Sequence, residues 1–211
     1  LSKAVVLKPG VIMIAKLFSA ALEGIDGILI EIEADISSGL PKVVVVGIPD
    51  VSVKESKERV KSAIRSSGFN FPVKRIVINL APADIKKQGS IYDLPIALSI
   101  LSASKQITPI HNLKDFMFIG ELSLDSRIKP VSGILPMIIS AKYNNIKNLV
   151  IPKENEKEAS VIDGLNIYPV SSLTEAVNVC ISDNLKPLER KANNIFNKNK
   201  DYDFDFNEVK G

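Results

Sequence analysis

Cysteine and histidine are almost missing from this sequence. A single cysteine, Cys180, among 211 residues excludes an internal disulfide framework. It falls within the apolar pattern of a predicted helix, where a thiol behaves as a buried, inert hydrophobe. The single histidine, His111, leaves a zinc cluster with only Cys180 and carboxylates to complete it, so no metal site is expected. Long apolar runs are missing too. No stretch approaches the roughly 18 uncharged residues of a membrane span, and no membrane association is expected. The first residues, "LSKAVVLKPGVIMIAK", lack a small-residue cleavage site and do not read as a signal peptide. No glycine is followed by lysine, which removes the P-loop that holds nucleotide phosphates. No strand leads into a GxGxxG turn. The chain by itself is therefore expected to hold no cofactor and to hydrolyse no ATP. Net charge is small: 27 basic against 24 acidic residues leave +3, too little to argue for nucleic acid on composition. A 45% hydrophobic, 24% charged balance is that of an ordinary globular protein. Together with the missing disulfides it points to a reducing cytoplasm.

What is present is an alternation of strands and helices. "AKLFSAALEGIDGILIEIEADI" reads as two strands around Gly24 to Gly27. Ile28, Ile30 and Ile32 alternate with Leu29, Glu31 and Glu33, the period of a half-buried strand. "PKVVVVG" reads as a more buried one. A helix is predicted from about Val51 to Ser67, with Asp50 as N-cap and Gly68 as the stop. Val53, Val60 and Ile64 share one face of it. Lys54, Lys57, Arg59, Lys61 and Arg65 lie mainly elsewhere, as a solvated face or as a contact for nucleic acid or an acidic partner. "KRIVINL" is the next strand. A polar loop follows, then a helix from about Leu94 to Ser104 that Asp93 is placed to cap. "FMFIGEL" and "RIKPV" read as a strand pair joined at "SLDS". A helix from about Gly133 to Asn144, the strand "NLVIP", a short polar helix in "KENEKEASVI", the strand "NIYPV" and a helix capped by Ser171 or Ser172 complete the pattern. The class is α+β, or α/β-like, with helices against a sheet. From about Asn184 the apolar period is lost, which predicts a linker. Phe196, Tyr202, Phe204 and Phe206 within it suggest a segment that docks on something else.

The corner "NLAPADIKKQGSIYDLPIAL" raises the chemical question. A strand, a loop with Lys86 and Lys87, Gly89-Ser90, and then a helix could supply a nucleophile and its base. Three readings stand: a loop shaped by Pro82, Gly89 and helix caps; a phosphate- or carboxylate-holding helix start, which Asp84 and Asp93 oppose; and an interaction surface formed by Lys86 and Lys87.

The motifs "VGIPD", "VKESKERV", "NLAPADIKKQG" and "DLPIAL", followed by "GELSLDSRIKPVSGILP", resemble the N-terminal domain of the magnesium-chelatase-like AAA+ ATPases, the ComM/YifB type. The resemblance runs from about Met13 to Asp183. It implies an organisation of three parts. Residues 1–12 are an upstream extension or a cloning remnant. Residues 13–183 are a ChlI-like domain, and residues 184–211 lead toward an ATPase module. The implied fold is that of the Lon proteolytic domain and of the second domain of the S-five ribosomal protein: a sheet backed by helices with a left-handed crossover. Lon-type peptidases carry a serine in a Gly-Pro-Ser-Ala-Gly corner and a lysine in a Gly-Gly-x-Lys segment. Aligned with these, Ile91 falls on the serine and Leu135 on the lysine. Neither can attack a carbonyl or take up a proton. Ser90 is one position out of register and is expected to cap an amide. The resemblance thus implies a non-catalytic accessory domain of an AAA+ motor, which assembles as a homo-oligomeric ring and uses ATP and magnesium only in its ATPase module. Its expected role is ring assembly or DNA engagement in branch migration and natural transformation. The surface expected to serve it comprises Lys54, Lys57, Lys61, Arg65, Lys86 and Lys87. The alternatives are a degenerate Lon-like domain that binds polypeptide, and a nucleic-acid-binding module working alone.

Overall fold

The computed structural model describes residues 13–183 and 186–188. The expected extension over residues 1–12, and the linker residues 184–185 and 189–211 with their four aromatics, lie outside the described residues.

The longest strands come first because the sequence alternates there without interruption. β1 (Met13–Glu23) and β2 (Asp26–Ser37) pair antiparallel across a two-residue turn in which Gly24 takes a left-handed conformation. β3 (Lys42–Val46) and β4 (Arg75–Ala81) join on the β2 side, and β5 (Phe116–Phe118), β8 (Asn148–Pro152) and β9 (Asn166–Val170) on the β1 side. The resulting seven-stranded sheet has the order β3-β4-β2-β1-β5-β8-β9. The β1–β2 and β2–β4 pairs are antiparallel and the others parallel. A separate hairpin pairs β6 (Glu121–Leu122) with β7 (Ile128–Lys129). The expected strand pair is thus divided. Phe116–Phe118 is buried throughout and enters the main sheet, while Glu121–Leu122 alone pairs with β7.

Helices cover both faces. α1 (Val51–Ser66), α2 (Asp93–Ala103) and α5 (Leu173–Ile181) pack on one face, where Leu17, Ile30, Ile32, Ile76, Ile78 and Leu80 point from the sheet. α3 (Ile134–Tyr143) and α4 (Glu156–Ala159) pack on the other, against Ala20, Met117, Ile119, Leu149, Ile151 and Ile167. The result is the mixed sheet backed by helices that the sequence implies. Cys180 lies buried in the first core, and burial pushes its thiol up to about 12, which makes it unreactive.

Helix ends follow local chemistry. Asp50 accepts the Val53 amide at 2.8 Å and Ser172 the Glu175 amide at 3.2 Å. Gly68 takes a positive φ just beyond α1. α2 departs from expectation. It begins at Asp93 itself, and no side chain caps it. Inside the segment expected to be linker, Leu188 donates its amide to the Ile167 carbonyl at 2.7 Å and packs on the second core, along the outer edge of β9. Among the described residues no helix is long and apolar enough to cross a membrane.

Candidate functional site

The corner between β4 and α2 is built by contacts between two loops. Residues 47–50, between β3 and α1, lie beside residues 82–92. The Asp50 amide donates to the Lys87 carbonyl at 3.0 Å, and the Lys87 amide to the Ile48 carbonyl at 3.2 Å. Asp50 then works twice: one carboxylate oxygen caps α1, and the other accepts the Gly89 amide at 3.3 Å.

Lys87 is not at the surface. Its side chain is fully buried, and its Nζ donates to the carbonyls of Pro82 and, at 2.7 Å, of Ile85. Burial lowers its ammonium pKa, against the opposing charge of Asp84. The ammonium satisfies carbonyls that the turn leaves without amide partners, so it holds the loop and cannot meet a partner. Lys86 is exposed, as are Lys54, Lys57 and Arg65, while Lys61 is half-buried.

Arg59 also leaves the basic face. It turns inward to Asp93, with Nε 2.6 Å from Oδ2 and Nη2 3.1 Å from Oδ1. Nη2 also reaches the Ser52 carbonyl and the Ser56 hydroxyl, each at 3.1 Å. Asp93, fully buried, accepts the Leu122 amide at 3.2 Å as well. Burial pushes the Asp93 carboxyl up, and the hydrogen bonds from Arg59 and its neighbours oppose that. Asp93 is therefore a buried junction of α1, α2 and β6, where the sequence suggested a helix cap. One residue before α2, Tyr92 is buried too, and burial raises its phenol well above the ordinary value.

Ser90 does not cap an amide. Its hydroxyl donates to Glu121 Oε2, and Glu121 Oε1 lies 3.2 Å from Lys129 Nζ. Burial alone would raise the Glu121 carboxyl; the Ser90 hydroxyl, Lys129 and Arg59 outweigh it and hold the group below the ordinary glutamate range. A carboxylate with so little affinity for protons is a poor base for a serine hydroxyl.

A cleft of about 480 Å³ opens at this corner. One wall is Gln88-Gly89-Ser90-Ile91 with Asp50, and the other is Pro130-Val131-Ser132. Leu22, the buried Met137 and Glu121 also line it. The second wall is pinned from behind. Asn155, buried, accepts the Val131 amide and donates to the Val131 carbonyl, both at 2.9 Å. Ile91 lines the cleft; Leu135, half-buried on α3, does not, and Ser132 of its segment does. The sequence signals missed here were Glu121, Lys129 and Asn155. None was legible: Asn155 stands among Lys153, Glu154, Glu156 and Lys157, in a segment that reads as a solvated polar helix. Among the described residues no group of His, Cys, Asp and Glu side chains is arranged to hold a metal.

A profile of the family described as "Subunit ChlI of Mg-chelatase" matches residues 32–155, more than half of the chain and all of both cleft walls. The chain belongs to this magnesium-chelatase-like family, with ComM and YifB. It is 39% identical to the competence protein ComM of Haemophilus influenzae over 175 residues, which cover 83% of this chain and 34% of ComM. It is 42% identical to the uncharacterized protein YifB of Escherichia coli over 141 residues, 67% of this chain and 28% of YifB. It is 32% identical to Lon protease 2 of Bacillus subtilis over 139 residues, 65% of this chain and 24% of that protease. The chain thus spans about a third of the length of the curated relatives it matches.

Proposed function

We propose that this chain is a non-catalytic accessory domain of a longer AAA+ ATPase of the ComM/YifB type. It would support ring assembly or DNA engagement in a DNA-processing motor of the branch-migration or competence kind, in the cytoplasm. ATP and magnesium belong to the ATPase module in this reading, and the partners are that module, further copies in a ring, and DNA. The observation that supports it is the corner itself. Ile91, which the resemblance aligns with the Lon-like serine, lines the cleft, and Leu135, which it aligns with the lysine, is not among the lining residues. Ser90 is tied to a carboxylate of low basicity.

DNA engagement rests on α1. Lys54, Lys57 and Arg65 are exposed and Lys61 half-exposed at helical spacing on one side, with Lys86 on the exposed part of the corner loop. Such cations meet phosphates and displace counterions. Replacing Lys54, Lys57 and Lys61 with glutamate in the full-length protein should weaken DNA binding. Its dependence on salt should flatten by about 0.9 in log–log slope for each phosphate no longer neutralised. Thermal stability should change little, because exposed charges usually contribute within about 0.5 kcal/mol each. Superimposable salt titrations would refute DNA engagement through this face.

One observation favours a second reading, polypeptide binding. Leu22, at the cleft, remains 41% exposed between two pinned walls. Saturable binding of an unfolded polypeptide that Leu22→Lys abolishes, without cleavage, would select it.

A further inference from the structure

Among the described residues, helices cover only part of the second face of the sheet. α3 packs on β2 and β1 at the Gly27–Leu29 end, where Gly27 lies against Pro136 and Met137. Toward the other end the same face presents three cross-strand rows. Phe18, Glu31 and Ala81 form the first, and Lys16, Glu33, Asn79 and Val46 the second. The third is Ile14, Asp35, Val77 and Val44. The alternation that buries Ile30, Ile32, Ile76 and Ile78 on the first face forces these residues onto the second. Ile14 remains 55% exposed and Val46 40%.

Two features set this half-face apart from an ordinary solvated sheet surface. Most of its charges are already paired with each other: Lys16 bridges Glu31 and Glu33, and Asn79 donates to Glu33 at 2.9 Å. Asp35 is the exception. It sits in the row between Ile14 and Val77, and its Oδ1 is shielded from solvent without a hydrogen-bond partner among the described residues. A shielded carboxylate oxygen without a donor is costly. An apolar row that holds one such acceptor fits an apolar surface that brings one donor. The face also ends at β3, whose outer edge no described strand pairs, and a valine-rich edge of this kind invites cover.

We infer that this half-face is the seat of the ATPase module of the same polypeptide, which meets Ile14, Val44 and Val77 with apolar side chains and Asp35 with a hydrogen-bond donor. The inference rests on the accessory-domain reading above. The connection permits it. The described chain leaves at Leu188 on the β9 edge. Five strand spacings separate β9 from β4, roughly 24 Å at about 4.8 Å each. Residues 189–211 can span at most about 76 Å at about 3.3 Å per residue. A tethered module also meets the face at an effective concentration that a free partner lacks.

The test places the photo-crosslinker p-benzoylphenylalanine at Val77 of the full-length protein and identifies the attached peptide by mass spectrometry. The expected product is a peptide C-terminal to Gly211, within one chain when isotope-labelled and unlabelled copies are mixed. Attachment within residues 1–211 of the same or another copy, attachment to a different protein, or no attachment overturns the inference. Hydrogen exchange provides a check without substitution. Amides of β3 should exchange at least tenfold more slowly in the full-length protein than in residues 1–211; equal rates overturn the inference. ATP hydrolysis measured on the same preparation separates the two failures. A full-length protein that hydrolyses ATP but leaves Val77 unattached refutes this seat alone, whereas one that hydrolyses no ATP refutes the accessory-domain reading beneath it.

Discussion

At the scale of single residues, the site turns on which charges are buried. Lys87 and Asp93 have fully buried side chains, and each is held by several partners. Neither position was legible in the sequence, because a lysine in a polar loop and an aspartate before an apolar helix look like a solvated group and a cap. Only the approach of residues 47–50 and of α1 buries them. The Arg59–Asp93 pair gives a sharp prediction. Arg59→Ala leaves Asp93 buried without its counter-charge, which costs about 3–5 kcal/mol. Arg59 itself keeps 22% exposure, so the lower end, about 3 kcal/mol, is expected from the shift in denaturation midpoint. A second change, Asp93→Asn in the Arg59→Ala background, should recover part of the loss. Acid sensitivity follows from Glu121, whose folded value is depressed. The stability it contributes is present above the ordinary glutamate value of about 4.3 and is lost as pH falls through the lower folded value. Asp93, raised by burial, acts in the opposite sense: its contribution is lost as pH rises through its folded value. Denaturation midpoints taken at successive pH values should therefore fall less steeply on acidification in Glu121→Gln than in the unaltered protein. Parallel curves would contradict the role given to Glu121.

At the scale of elements, α1 was the most legible part. Its apolar spacing, the Asp50 cap and the Gly68 stop all appear where the sequence places them, because each is a local rule with little tertiary competition. The short elements were less legible. Phe116–Leu122 reads as one strand, yet it is divided at Gly120: the Ile119 amide still donates to the Val150 carbonyl of β8, whereas the Gly120 amide donates to the Ile91 carbonyl. Ile91 lies in the corner loop, distant in sequence, so the break cannot be read from periodicity. Close packing of α3 supplies a test at this scale. A Cβ at Gly27 would overlap the Pro136 carbonyl and crowd Met137, so Gly27→Ala must displace α3 from β2. A loss of about 1–3 kcal/mol is expected, read as a lower midpoint of thermal or urea unfolding. An unchanged midpoint would show that α3 does not bear on β2 as described.

At the scale of the whole molecule, the alternation of strand and helix announced a sheet backed by helices, and the motifs announced the family. The strand order was not legible. It sets β1 between β2 and β5 and sends β3 and β9 to opposite edges, through pairings far apart in sequence. That order is also what brings the corner, the β6–β7 hairpin and the Asn155-pinned wall around one cleft. Around this cleft Ser90 is tied to Glu121 and Ile91 offers no reacting group, so no peptide cleavage is expected. The most direct measurement is steady-state cleavage of a fluorogenic peptide and of an unfolded protein by residues 1–211. Turnover is expected at background, unchanged in Ser90→Ala and across pH. Turnover that survives repurification and disappears in Ser90→Ala would contradict it.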